Sequence, residues 1–377
     1  MRVAIALTML LLASAVSADV IYVNPGGSIQ SALDSVAPGD TVLINDGVYN
    51  EAGIDMKPGV KLRGASGDTT AVIIDAGMPP IFESVFILHD CGDTTEISGL
   101  TIARGTSLTV PPFDGAGMWM QNSDPVIHNV MITECMATNL GGGMYLDHSS
   151  PTLTHVTLRG NASPLGGGGI ACRNGSNASL ENCTFMMNSA GSGGNMSCDQ
   201  SSPRLSDCDF HGGATQNNGD GMYLTDHSSP MLTNVSFGTM QCNLPGSHGQ
   251  CIFMEISSSP TFTNVCFSNS GLGYGDLLYT LEGSCSPTFS CCNIYAWGAN
   301  STKVGGSLSD PTGSNGNISQ DPLYCDAVNW DLSVDAASPN LPGSPDNECG
   351  TLIGWHGQGC DSPVEVRSWG TIKAMYR

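Results

Sequence analysis

The chain has 377 residues, of which 12 are Lys or Arg against 34 Asp or Glu, for a formal net charge of -22. A surface so short of cations excludes a polyanion held by a broad basic face, and nucleic acid with it. The length would suit two or three ordinary domains if the chain did not repeat itself, but it does.

Residues 1 to 18 read as a secretory signal: Arg2 precedes the apolar run Val3 to Ala15, and Val16-Ser17-Ala18 supplies small residues for cleavage before Asp19. The run is too short to span a bilayer, and no later segment reaches the roughly 18 apolar residues that a spanning helix needs. The expected product is secreted or held at the cell surface, with no transmembrane segment. Its fifteen cysteines can then form disulfides, and the odd number leaves at least one unpaired in a monomer.

The stretch GSIQSALDSVAPGDTVLINDGVYNE (27 to 51) puts Ile29, Ala32, Leu33 and Val36 on one helical face and should stop at Pro38-Gly39. An amphipathic helix here would shield the first layer of whatever follows. VKLRG (60 to 64), AVIID (71 to 75), VFILHD (85 to 90) and ISGLTIARG (97 to 105) read as short strands.

From there the chain is periodic. Pro125, Pro151, Ala178, Pro203, Pro230, Pro260 and Pro287 recur at intervals of 26, 27, 25, 27, 30 and 27 residues. Two residues past each anchor stand Ile127, Leu153, Leu180, Leu205, Leu232, Phe262 and Phe289. Five past stand Val130, Val156, Cys183, Cys208, Val235, Val265 and Cys292, and seven past stand Ile132, Leu158, Phe185, Phe210, Phe237, Phe267 and Ile294. Apolar positions this close together, bounded by Gly, Ser, Asn and Pro, fit short strands with one buried face. A unit of about 26 residues repeated at near-constant length is the mark of a solenoid that stacks parallel strands. Four past each anchor stand Asn129, His155, Asn182, Asp207, Asn234, Asn264 and Cys291, a row that reads as a structural ladder at a turn.

The opening segment followed by registered coils resembles the right-handed parallel β-helix proteins of the pectin-lyase-like superfamily, over roughly residues 20 to 300. The resemblance implies an all-β, right-handed parallel β-helix of about ten coils with an N-terminal capping helix. That superfamily includes polysaccharide lyases, glycoside hydrolases, esterases and adhesins, so fold alone does not decide activity. Residues 301 to 360 are similar to the closing segment of many exported bacterial β-helix proteins, in which a Cys often follows Ser-Pro. Here Asn340 takes that place, leaving Cys325, Cys349 and Cys360 without an obvious fourth. The tail, 361 to 377, holds Arg367, Lys373 and Arg377 and resembles short C-terminal sorting or docking tails.

Just before each anchor runs another strand whose inward residues leave the ones between them facing out. One outward row is Trp119, Tyr145, Ala171, Ser197, Tyr223 and Phe253, continued by Tyr279. Beside it run Gln121, Asp147, Arg173, Asp199, Thr225 and Glu255. The aromatic members Trp119, Tyr145, Tyr223, Phe253 and Tyr279 are candidate carbohydrate-binding residues, because such rings offer apolar faces on a wet surface. Stacked aromatics also stabilise a sheet with no ligand at all. Asp147, Arg173 and Asp199 are the candidate catalytic set. At about 4.8 Å per strand the two aspartates stand roughly 10 Å apart in backbone terms, near the upper end of the spacing in an inverting glycosidase. The bland alternative is an exposed ion-pair network worth under about 1 kcal/mol per pair.

The phrase GMYL-(T)-DHSSP occurs at 143 to 151 and again at 221 to 230, carrying Asp147-His148 and Asp226-His227. Neither pair has a nucleophile at a recognisable spacing, and both read as turn residues. There is no paired CxxC, no HExxH and no calcium-binding nonapeptide. No metal site or cofactor is evident; calcium stays open. Cys172 with Cys198, and Cys183 with Cys208, fall at matching places in adjacent coils and read as core thiols or inter-coil disulfides. The leading expectation is an exported, monomeric β-helix protein that contacts extended polysaccharides through its outer sheet without catalysis. The alternatives are a polysaccharide lyase or inverting glycoside hydrolase, and a structural stalk or adhesin.

Overall fold

A computed structural model describes residues 18–77, 83–108, 113–240, 247–269, 275–298 and 301–360. The signal segment up to residue 17 and the tail from 361 onward lie outside the described residues. Nearly every strand is parallel to its neighbours, and the chain climbs a right-handed solenoid whose longer sheet has eleven successive rungs, from Val20–Val23 to Thr288–Ser290. A second sheet of ten strands runs from Ile54–Met56 to Ser301–Gly306. No helix among the described residues is long and apolar enough to cross a membrane.

The three apolar rows of the repeat are the core. All their members are buried, and Phe289 at 7 % is the most exposed. Strict alternation cannot place residues two and five past the anchor on the same side. The row between them resolves this: Asn129, His155, Asn182, Asp207, Asn234, Asn264 and Cys291 all have φ between 52° and 55°. One left-handed residue turns a corner in each strand, so both flanking segments face inward. Asn and Asp tolerate that conformation better than most side chains. Part of the row is also a ladder, with Asn264 Nδ2 donating to Asn234 Oδ1 at 3.1 Å and Asn234 Nδ2 to Asp207 Oδ1 at 3.0 Å.

The SSP phrase has its own structural cause. Ser123, Ser149, Ser176, Ser201, Ser228 and Ser258 are buried one above another, and each hydroxyl accepts the backbone N–H of the coil before it. The ladder satisfies backbone groups at a bend where the sheet cannot. Within the core Phe185, Phe210, Phe237 and Phe267 stack in succession, with centroids 4.5, 4.6 and 5.3 Å apart. The N-terminal helix spans Ile29–Ser35, buries Ile29, Ala32 and Leu33, and ends before Pro38. Ser28 caps it, and the Glu51 carboxylate accepts from the N–H groups of Ile29 and Gln30. The first coil thus completes the helix that covers it.

The strand Ser301–Gly306 still belongs to the solenoid, pairing with Gly275–Thr280. The closing segment then folds back along the flank of the last coils instead of across their end. His356 Nε2 lies 2.9 and 2.8 Å from the two Asp209 oxygens, Trp355 donates its N–H to Ser236 Oγ, and Gly354 donates to the Asn264 carbonyl. Two disulfides hold it: Cys325–Cys360 within the segment and Cys291–Cys349 to the solenoid. The missing fourth cysteine is therefore Cys291, the last member of the corner row. Asn340 is buried against the last coils, accepting from Asn293 Nδ2 at 2.7 Å. Cys172, Cys198, Cys183 and Cys208 are buried free thiols in the core, not inter-coil disulfides.

Candidate functional site

The outward face of the ten-stranded sheet carries both predicted rows in register. Trp119 pairs with Tyr145, Tyr145 with Ala171, Ala171 with Ser197, Ser197 with Tyr223, Tyr223 with Phe253, and Phe253 with Tyr279. Gln121, Asp147, Arg173, Asp199 and Thr225 follow one another in the same way.

Outward orientation does not make the whole row accessible. Tyr145, Ser197, Tyr223 and Tyr279 are half-buried, whereas Trp119, Ala171 and Phe253 are buried at 8, 0 and 2 %. Trp119 and Phe253, expected on the ligand surface, are thus mainly packing residues. The cover is the turn that precedes each strand. Its glycine, for example Gly141 or Gly167, has φ near 65° and lies so close to the strand that a Cβ there would meet the backbone of Met144 or Ile170. The residues before these glycines stack into a wall: Asp114, Leu140, Gly166, Ser192, Asn218 and His248. Each one but Asp114 accepts, through its carbonyl, the N–H of the glycine one coil earlier.

Between Tyr145 and Tyr223 the floor is made of the small residues Ala171 and Ser197. Tyr223 has Phe253 stacked on one face at 5.5 Å and 7°, with Ser197 next in the row on its other side. Its hydroxyl donates to Glu255. Arg173 stands on the rim and pairs with Asp199. Asp147 is held separately, accepting from Asn174 Nδ2 at 2.7 Å, Gln121 Nε2 at 3.2 Å and the His148 ring at 2.9 Å.

The charges here push one another apart. Burial raises the Asp114 carboxyl, with Asp147 adding to the effect and Arg173 and a bond from the Leu140 N–H opposing it. Burial also pulls Asp147 upward, but its hydrogen bonds from Asn174, Gln121 and His148 outweigh it and hold that carboxyl below its ordinary value. Burial, Asp114 and Asp147 push the Tyr145 hydroxyl up to about 12, with Arg173 opposing. Asp114 escaped the sequence reading because it lies in the wall, where residue type varies from coil to coil. Its only signal is its place before the glycine of FDGAG.

The two Asp-His pairs are not structural copies. Asp147 ends a strand, while Thr225 takes that place in the later coil and Asp226 lies in the turn with φ 44°. Both histidines have positive φ and are largely exposed, with Nδ1 2.9 and 2.8 Å from the neighbouring carboxylate. Among the described residues no group of three or more His, Cys, Asp or Glu is placed to hold a metal ion.

Residues 84–238 and 128–283 match the family described as right handed beta helix region. The chain belongs to that family. Among solved structures it is similar to pectate lyase Pel9A, at 12% identity and a TM-score of 0.51, covering 92% of this chain and 98% of that one. It is also similar to the pectin methylesterase from Yersinia enterocolitica, at 12% identity and a TM-score of 0.37, over 80% of this chain and 95% of that one. A third is the PL6 family alginate lyase AlyGC, at 12% identity and a TM-score of 0.37, over 91% of this chain and 60% of that one. A search of curated proteins gave no significant match. The likeness to pectate lyase Pel9A is one of fold alone and leaves the chemistry to the residues of this chain.

Proposed function

We propose that this is an exported protein that binds an extended polysaccharide along the outer face of its ten-stranded sheet. The slot between Tyr145 and Tyr223 carries the reading. Tyr145, Ser197 and Tyr223 are half-buried and present part of their surface, Ala171 between them is covered by the wall, and Asp147, Arg173 and Asp199 offer hydrogen bonds along the rim. Aromatic apolar surface beside a few convergent polar groups suits a hydroxylated ring. The solenoid likeness to a pectate lyase supports the ligand class, and two disulfides support an oxidising compartment.

A second reading, a polysaccharide lyase or inverting hydrolase using Asp147, Arg173 and Asp199, is favoured by one observation. Asp147 of that set and the wall residue Asp114, which would join it as the acid, have carboxyls driven in opposite directions, the pattern of an acid and base pair. One experiment separates these readings: retention of the full chain on neutral and acidic polysaccharides, with and without calcium, with assay for new reducing or unsaturated ends. Retention without new ends is the expected result, and Tyr145→Ala combined with Tyr223→Ala should weaken it at least tenfold. Unchanged retention in that variant refutes the binding slot. New ends that vanish in Asp199→Asn establish the enzyme, and silence in both assays leaves the stalk or adhesin.

A further inference from the structure

The wall that ends in Asp114 on one side of the slot ends in His248 on the other, and His248 is not part of the slot. Its Nδ1 lies 3.0 Å from Asp276 Oδ2, and its ring stacks on Tyr279 at 4.2 Å between centroids. A carboxylate can only accept, so Nδ1 carries a proton, and in the neutral ring Nε2 keeps its lone pair. Among the described residues nothing takes Nε2, and the His248 side chain is 41% exposed while that of Asp276 is 15%.

Asp276 is itself positioned. Its other oxygen accepts from the Thr302 hydroxyl, and its carboxylate lies over Gly305, where a Cβ would collide with it. Gly305 follows Tyr279 in the outward row. The row therefore runs Tyr223, Phe253, Tyr279 and then a gap that the Asp276 carboxylate fills. The main-chain N–H of His248 donates to Asn218 Oδ1 at 2.9 Å, which fixes the turn that bears the ring. The imidazole is oriented by a carboxylate, partly exposed as a side chain and set at the end of a ring row leading from the slot.

We propose that His248 and Asp276 form a catalytic dyad that hydrolyses acyl esters carried by the bound glycan. His248 Nε2 takes a proton from water as the water oxygen bonds to the ester carbonyl carbon. The tetrahedral intermediate then collapses, the bond from that carbon to the sugar oxygen breaks, and the proton passes from Nε2 to the departing oxygen. A carboxylic acid and a free sugar hydroxyl result, with no change of oxidation state. Asp276 holds the ring in one tautomer and stabilises the imidazolium. Ester hydrolysis fits better than elimination from a uronate, which needs a cation beside the sugar carboxylate. Arg173 is three coils from His248, about 14 Å, and Lys303, the cation next to Thr302, is paired with Asp310.

The proposal rests on the glycan-binding reading for its substrate, and the test keeps the two apart. Full chain is assayed for acetate release from acetylated xylan and acetylated homogalacturonan and for hydrolysis of 4-nitrophenyl acetate. Retention is measured in parallel on the deacetylated polymers. His248→Asn should lower kcat at least a hundredfold, the range a general base contributes. Asp276→Asn, which removes the charge that orients and stabilises the imidazole, and Gly305→Ala, which displaces the Asp276 carboxylate, should lower kcat at least tenfold with retention and KM unchanged. Retention with no ester cleaved, or cleavage as fast in His248→Asn as in the parent, overturns the dyad. Hydrolysis of 4-nitrophenyl acetate that depends on His248, with no glycan retained, upholds the dyad and overturns the glycan reading.

Discussion

Phe210→Ala is expected to lower the unfolding free energy by about 3–5 kcal/mol, the cost of removing a large ring from a packed core. Phe210 is fully buried, and its ring lies between Phe185 at 4.5 Å and Phe237 at 4.6 Å. The alanine would leave a cavity and break two stacked contacts in the same step. In a solenoid each coil is held chiefly by its two neighbours, so the loss falls on the coils of residues 184–186 and 231–240 and interrupts the stack at its middle. Urea unfolding followed by circular dichroism checks this. A loss below about 1 kcal/mol would mean that the phenylalanine stack does not hold the coils together.

The second large effect has the opposite sign. Asp220 is buried, accepts from the Thr215 hydroxyl at 2.6 Å, and has no partner for its other oxygen. Burial pushes its carboxyl from the ordinary 3.8 up to about 7, against the Thr215 hydrogen bonds. The unfolded chain gives up this proton near 3.8 and the folded chain near 7, so ionisation works against the fold. The penalty is absent below pH 3.8, grows as pH rises, and is complete above 7. At 1.36 kcal/mol per pH unit it comes to about 4 kcal/mol. Asp220→Asn keeps an acceptor for Thr215 and cannot ionise. It should raise the thermal midpoint clearly at pH 8 and leave it nearly unchanged at pH 3.5. The same shift at both values would assign the effect to packing instead of charge.

The repeat made most of the solenoid legible. Rows such as Ile127 to Phe289 name core positions, and a constant interval fixes which residues lie above one another. The corner was less legible, because apolar residues two, five and seven past the anchor do not alternate. Only the run of Asn and Asp between them hints at a left-handed residue. The closing segment was legible as a Cys-containing unit, but its docking was not: His356 meets Asp209 and Cys349 meets Cys291 across 147 and 58 residues with no period to relate them. The outward row was correct as a direction but not as a surface. Alternation says that Trp119 and Phe253 point out of the core, and it is silent about the wall of turns that covers them. Asp114 and His248 were missed for the same reason: the wall is held by backbone hydrogen bonds, which any side chain permits, so no residue type recurs to mark it.

The most direct test of the glycan account is hydroxyl-radical footprinting of the full chain with and without a polysaccharide that it retains. Oxidation of Tyr145, Tyr223 and Tyr279 should fall several-fold on binding, while exposed side chains on the other sheet, such as Tyr22 and Met231, keep their rates. Protection of Tyr22 and Met231 with the three row tyrosines unchanged would put the ligand on the wrong face and contradict the account.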